Sequence, residues 1–219
     1  MISRIPLINR IKKESHRQIA QAHDIIVEEI MKIIPEAVFH GGTSIWRCYN
    51  GNRFSEDLDF YLPNNKKKIE ALFENLNKKG FVIKKKKISE NSVYSELILD
   101  RLSVRFESTF QKIKGVLLDY EKIDSGFLTI YGLSREQLIN EKARTYLARR
   151  KIRDLYDIFF LLKFMGDLNP VAGVLKELIK NYSPPLDEDD LKVIILEGIV
   201  PKSEEMIEYI QRKCQNPNI

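Results

Sequence analysis

Apolar residues recur at helical spacing over about 15–34, where Ile19, Ala22, Ile26, Val27, Ile30 and Ile34 share a face, so the spacing predicts a helix. A short apolar strand over 37–39 follows and runs into Gly41-Gly42. A second short helix is expected to start near Thr43 and end near the Asn50-Gly51 turn. Residues 57–62 alternate polar and apolar, the period of a strand, until Pro63-Asn64-Asn65 breaks them. A lysine-rich amphipathic helix over 66–79 then stops at Gly80, and 81–88, 93–99 and 102–108 each read as strands. The stretch 111–130 is weakly patterned and is taken as the domain boundary. From Ser134 the period becomes helical. Ser134 with Gln137 forms a capping-box signature, and Leu138, Ala143, Tyr146 and Leu147 continue the stripe. Further helices are expected over 152–165 and 170–181, with Asp187 as an N-cap ahead of two short ones. The expected fold class is α+β: a mixed-sheet α/β domain over 1–125 and a helical domain over 126–219.

Composition narrows the classes. With 43% hydrophobic residues in 219, the chain buries a real core and is neither disordered nor low-complexity. No apolar run approaches the ~18 residues that span a bilayer, and the N-terminal segment lacks a leader-like apolar region, so a soluble, cytoplasmic protein with no membrane partner is expected. Cys48 and Cys214 are too far apart to suggest a zinc site or a disulfide framework. His16, His23 and His40 lack metal-ligand spacing. Charge is unevenly placed along the chain. Residues 66–87 carry nine lysines against two glutamates, residues 142–153 carry six basic residues and no acid, and residues 186–209 are acidic. That polarity suits a polyanionic partner, although the lysines at 84–87 read equally well as a solvated strand edge.

Candidate chemistry lies in two blocks, Val38 to Ser44 and Arg53 to Phe60. On a strand, Asp57, Asp59 and Tyr61 share one face while Leu58, Phe60 and Leu62 share the other. Two carboxylates about 7 Å apart repel unless a cation sits between them, and such hard oxygen ligands suit Mg²⁺. A solvated acid pair is the plain alternative. Gly41-Gly42 before a helix lets backbone approach a ligand, and Thr43 and Ser44 add donors for phosphate. A third acid, Glu107, stands opposite the apolar face of Leu102, Val104 and Phe106, in phase with Asp57 and Asp59. Three carboxylates near a phosphate-binding turn match the needs of two-metal phosphoryl transfer.

These residues resemble the nucleotidyltransferase superfamily of the DNA polymerase β-type fold. The string GGTSIWRCYNGNRFSEDLDF more closely resembles the AbiEii/AbiGii toxin branch, with its GGT and R-x-S-x-D-x-D. Lys142 in NEKARTYLARR and Arg153-Asp154-Leu155-Tyr156-Asp157 resemble that branch's later lysine and R-D-x-x-D, so the resemblance covers roughly 38–165. It implies a nucleotidyltransferase domain followed by a helical one.

The resemblance also implies roles. Asp57, Asp59 and Glu107 would be catalytic and would hold two Mg²⁺ ions. Gly41, Gly42, Thr43, Ser44, Lys142, Arg153, Asp154 and Asp157 would bind the nucleotide, with Arg53 and Ser55 buttressing the loop. Arg153 and Asp157 can also be read as an i,i+4 pair that braces its helix, and Tyr61 either stacks on a base or packs. The implied activity is transfer of NMP from an NTP to an acceptor hydroxyl, the tRNA 3′ end above all, by the toxin of a toxin–antitoxin pair with a cognate antitoxin. Protein- or small-molecule-directed transfer, and a catalytically silent binding module, are the alternatives.

Overall fold

The computed structural model describes residues 6–215; the first five residues of the N-terminal segment, and residues 216–219 of the expected helical domain, lie outside it. Contacts divide the chain into two units, residues 1–133 and 134–219.

The first unit runs α1 (Leu7–Arg10), α2 (Glu14–Ile33), β1 (Val38–His40), α3 (Gly41–Cys48), β2 (Asp57–Leu62), α4 (Lys66–Lys78), β3 (Val82–Ile88), β4 (Ser92–Leu99), β5 (Leu102–Phe110), β6 (Val116–Glu121) and β7 (Phe127–Gly132). The strands form one mixed sheet in the order β3-β4-β5-β2-β1-β7-β6. β2 pairs with β5 and β1 with β7 in parallel, and the remaining neighbours are antiparallel. α2 and α4 supply the apolar cover, with Ile26, Val27 and Ile30 from one and Ile69, Leu72, Phe73 and Leu76 from the other all buried. Phe60 lies 4.7 Å from Phe39 and 6.2 Å from Phe106, ring centre to ring centre, and Phe73 closes on Phe106 at 6.3 Å. Each such ring contributes about 1.5–3 kcal/mol by leaving water. Because side chains alternate along a strand, this cluster sends Asp57, Asp59 and Glu107 to the opposite face.

A buried polar network fastens α3 to its neighbours. Arg47, 1% exposed, donates from Nε to the Glu121 carbonyl at 2.7 Å and from Nη2 to the Asp24 carboxylate. Asp24 also accepts from the Tyr120 hydroxyl and the Ile123 N–H, both at 2.9 Å. The guanidinium lies over the Tyr120 ring at 4.4 Å. Burial pushes the Asp24 carboxyl above its ordinary value, against the opposing pull of Arg47. With both Asp24 carboxylate oxygens answered, the cluster ties α2, α3 and β6 together.

Two expectations shift. The weakly patterned 111–130 contains most of the β6–β7 hairpin, which spans the expected 125/126 boundary and joins the sheet through β7 against β1. α3 starts at Gly41, two residues ahead of Thr43, so the diglycine is its first turn; Gly41 has φ +75°, a conformation open to glycine and costly to other residues.

The second unit holds α5 (Arg135–Arg149), α6 (Ile152–Leu162), α7 (Ala172–Lys180), α8 (Leu191–Ile194) and α9 (Ser203–Gln215). At the start of α5, Ser134 Oγ accepts from the Gln137 N–H at 3.3 Å and the Gln137 side chain accepts from the Ser134 N–H at 2.9 Å. Asp187 caps a distant helix instead of its own. Its carboxylate accepts from the Ile152 N–H at 2.7 Å and pairs with Lys151 at 3.4 Å, satisfying the N-terminus of α6. No described helix is long and apolar enough to cross a membrane.

Candidate active site

The parallel β2–β5 register sets Asp59 directly beside Glu107 and Asp57 directly beside Arg105. All four side chains leave one face of the sheet. The cation that relieves repulsion between Asp57 and Asp59 is an arginine: Arg105 donates from Nε and Nη2 to the two Asp57 oxygens, each at 2.7 Å. Since this planar two-point bond occupies Asp57, the three acids do not form a ready-made cage. Among the described residues, no group of three or more His, Cys, Asp or Glu is gathered closely enough to hold a metal ion. The donor chemistry nevertheless suits a hard divalent ion, with three carboxylates on in-register strands and a guanidinium already marking one as a cation partner.

Gly41 faces this acid row. A Cβ placed on it would stand 2.2 Å from Asp59 Oδ2, so only glycine leaves room for the carboxylate. Gly42 faces away, and a Cβ there would stand 2.3 Å from Arg53 Nη2 and 2.8 Å from Ser55 Oγ. Arg53, 3% exposed, therefore packs under the first turn of α3. The hydroxyls expected to face phosphate are both buried. Thr43 Oγ1 donates to the Asp57 carbonyl, tying α3 to β2, and Ser44 Oγ has no hydrogen-bond partner among the described residues. What α3 offers an anion is its first-turn backbone N–H groups. Tyr61 stacks on His40 with ring centres 3.9 Å apart and planes 6° apart.

The second unit gathers a separate charged cluster. Lys142, 6% exposed, places Nζ 3.4 Å from Asp154 Oδ1 and 3.2 Å from Asp157 Oδ2. Arg149 donates from Nε to Asp154 Oδ2 at 2.8 Å and from Nη2 to Oδ1 at 2.9 Å. Two cations thus meet two carboxylates. Arg153 is half-buried and forms no ion pair among the described residues, so the i,i+4 pair with Asp157 is not made. Sequence reasoning missed Arg105 and Arg149 as partners. Arg105 carried a signal, a basic residue two positions before Glu107 and hence on its face.

A family model described as the nucleotidyl transferase AbiEii toxin of a Type IV toxin–antitoxin system matches residues 32–209. Among solved structures, MenT4, a nucleotidyltransferase toxin from Mycobacterium tuberculosis H37Rv, is 18% identical with a TM-score of 0.63, over 92% of this chain and 84% of that one. JHP933 from Helicobacter pylori is 20% identical with a TM-score of 0.59, over 90% of both chains. A second H. pylori structure, titled a putative nucleotidyltransferase, is 20% identical with a TM-score of 0.57, over 90% of this chain and 93% of that one. At these identities the structures establish a shared fold. No curated protein gives a significant sequence match.

Proposed function

Because the chain belongs to the AbiEii nucleotidyltransferase toxin family, we propose that it transfers a nucleoside monophosphate from an NTP to an acceptor hydroxyl, the 3′ end of a tRNA. The observation that carries the reading is the in-register pairing of Asp59 with Glu107, two residues along from Asp57 and against the bare Cα of Gly41. Glu107 accepts the proton of the attacking hydroxyl. The new O–P bond forms at the α-phosphorus, and the bond to the bridging oxygen breaks, its electron pair leaving with pyrophosphate. The backbone N–H groups of Gly42, Thr43 and Ser44 hold β- and γ-phosphate oxygens, with Gly41 leaving space for Asp59.

Asp57, Asp59 and Glu107 are the proposed ligands of two Mg²⁺ ions, which when bound withdraw charge from phosphoryl oxygens. For Asp57 that means giving up Arg105. Lys142 is the proposed ammonium partner of phosphate, with Asp154, Asp157 and Arg149 fixing its position and Arg153 supplying charge nearby on α6. A cognate antitoxin is the proposed partner of the chain, and the cytoplasm, where tRNA and NTPs meet, is the proposed compartment.

The reading is tested by offering each α-³²P-labelled NTP with Mg²⁺, total RNA and total protein to the purified chain. Label is expected in the tRNA band. Label confined to protein or small molecules would move the acceptor elsewhere, and no label in any fraction would favour the silent module.

A further inference from the structure

The acid row continues outward across the sheet. In register, Lys87 on β3 stands beside Tyr94 on β4, Tyr94 beside Glu107 on β5, and Glu107 beside Asp59 on β2. One row along, Lys85 stands beside Glu96, Glu96 beside Arg105, and Arg105 beside Asp57. Residues paired in this way point to the same face. With strands about 4.8 Å apart, the Tyr94 ring is rooted one strand from Glu107 and the Lys87 stem two strands away.

The four-lysine run therefore divides. Lys86 turns to the helical face, where it pairs with Glu70 at 2.6 Å and lies 5.1 Å over the Phe73 ring. Lys84 pairs with Glu96 at 2.7 Å. Lys85 reaches over the Tyr94 ring, its Nζ 5.0 Å from the centre, and Lys87 is exposed with no ion pair among the described residues. Protection of an edge strand accounts for lysines on β3. It does not account for an aromatic ring on the interior strand β4, nor for a row that leads through Glu107 to Asp59.

We propose that Lys85, Lys87 and Tyr94 form a binding site for the single-stranded 3′ end of an RNA acceptor, a deepening that rests on the transfer reading above. The Tyr94 ring stacks on a base near the terminus, and the Lys85 and Lys87 ammoniums take flanking phosphates, so the last nucleotide is led toward Glu107. Alternating cations and a flat ring match a strand of alternating phosphates and bases, whereas an acidic peptide would leave the ring without a matching group.

The test is fluorescence anisotropy of a labelled ten-nucleotide single-stranded RNA with the full chain over a salt series and without NTP, so that binding is read apart from transfer. Tyr94→Ala is expected to weaken binding roughly tenfold and Tyr94→Phe, which keeps the ring, to restore it. Lys85→Ala with Lys87→Ala should reduce the slope of log affinity against log salt by about 1.4, the effect of two lost phosphate contacts. Lys86→Ala, on the other face, should leave both quantities unchanged. A neutral Tyr94→Ala, or a Lys86→Ala effect equal to that of the paired Lys85→Ala and Lys87→Ala change, would overturn the site. So would a wild type that fails to hold this RNA. RNA binding that depends on Tyr94 and Lys87 in a chain that transfers no nucleotide would support the site and contradict the catalytic reading, so the two fail separately.

Discussion

Arg105 grips both oxygens of Asp57 at 2.7 Å, so an arginine from the neighbouring strand occupies the charge position proposed for a divalent ion. The pair is partly open to solvent and contributes only about 0–1 kcal/mol to stability. Asp57→Ala should therefore shift the melting temperature by no more than a few degrees while lowering NMP transfer at least about a thousandfold. Thermal melts and label incorporation on the same preparation check both halves.

Gly41 and Asp59 compete for one space. Gly41→Ala meets the Asp59 carboxylate and a φ of +75°, and is expected to lower transfer about as far as loss of Asp59 does, with a stability cost of about 1–3 kcal/mol. Gly173→Ala is the matched control: nothing lies within 4 Å of its added Cβ on α7, so it should leave transfer unchanged and raise stability by about 0.5–1 kcal/mol. Urea unfolding with parallel activity assays separates the two.

Lys142 is buried against two carboxylates, and removing it takes away the ammonium beside Asp157 while Arg149 still pairs with Asp154. Lys142→Met should cost about 3–5 kcal/mol, and adding Asp157→Asn should recover part of the loss. A double-mutant cycle by urea unfolding measures the coupling; additive losses would contradict the ion network.

His23 lies buried with Nε2 donating to the Glu56 carbonyl at 2.9 Å and Nδ1 without a partner. Burial, helped by the charge of Arg47, pulls its pKa down from 6.5 to about 3, against the pull of the Glu56 carbonyl. Between those values the unfolded chain binds the extra proton and the folded chain does not. Its contribution is present above about 6.5 and lost as pH falls toward about 3, with a slope of up to about 1.4 kcal/mol per pH unit. His23→Gln should flatten that slope, measured by unfolding free energies at a series of pH values; an unchanged slope would place the acid sensitivity elsewhere.

What could be read from the sequence was what local rules govern. The period of two in residues 57–62 and 102–108 put Asp57, Asp59 and Glu107 on one face, and Ser134 with Gln137 marked the start of α5. β6 and β7 escaped because Val116, Leu117, Phe127 and Tyr131 are exposed apolar residues that blur the alternation, and because β7 pairs with a strand some ninety residues earlier. The Asp124-Ser125-Gly126 turn, with Ser125 at φ +70° and the Gly126 N–H donating to Asp124, was the available signal. The face of Arg105 was legible from its spacing to Glu107, but its pairing with Asp57 needed the β2–β5 register, which no single-strand pattern supplies. Arg149 meets Asp154 because the chain bends between α5 and α6 at Arg150, φ 52°, which brings the end of one helix onto the first turn of the next.

The central claim is that Asp59 and Glu107 act together on an NTP. It is tested most directly by pyrophosphate release and label incorporation from an α-³²P-labelled NTP, comparing wild type with Asp59→Asn and Glu107→Gln at matched folded fractions. The account predicts transfer by the wild type and loss of at least about a thousandfold in each variant, with melting temperatures little changed. Normal turnover in either variant would contradict it.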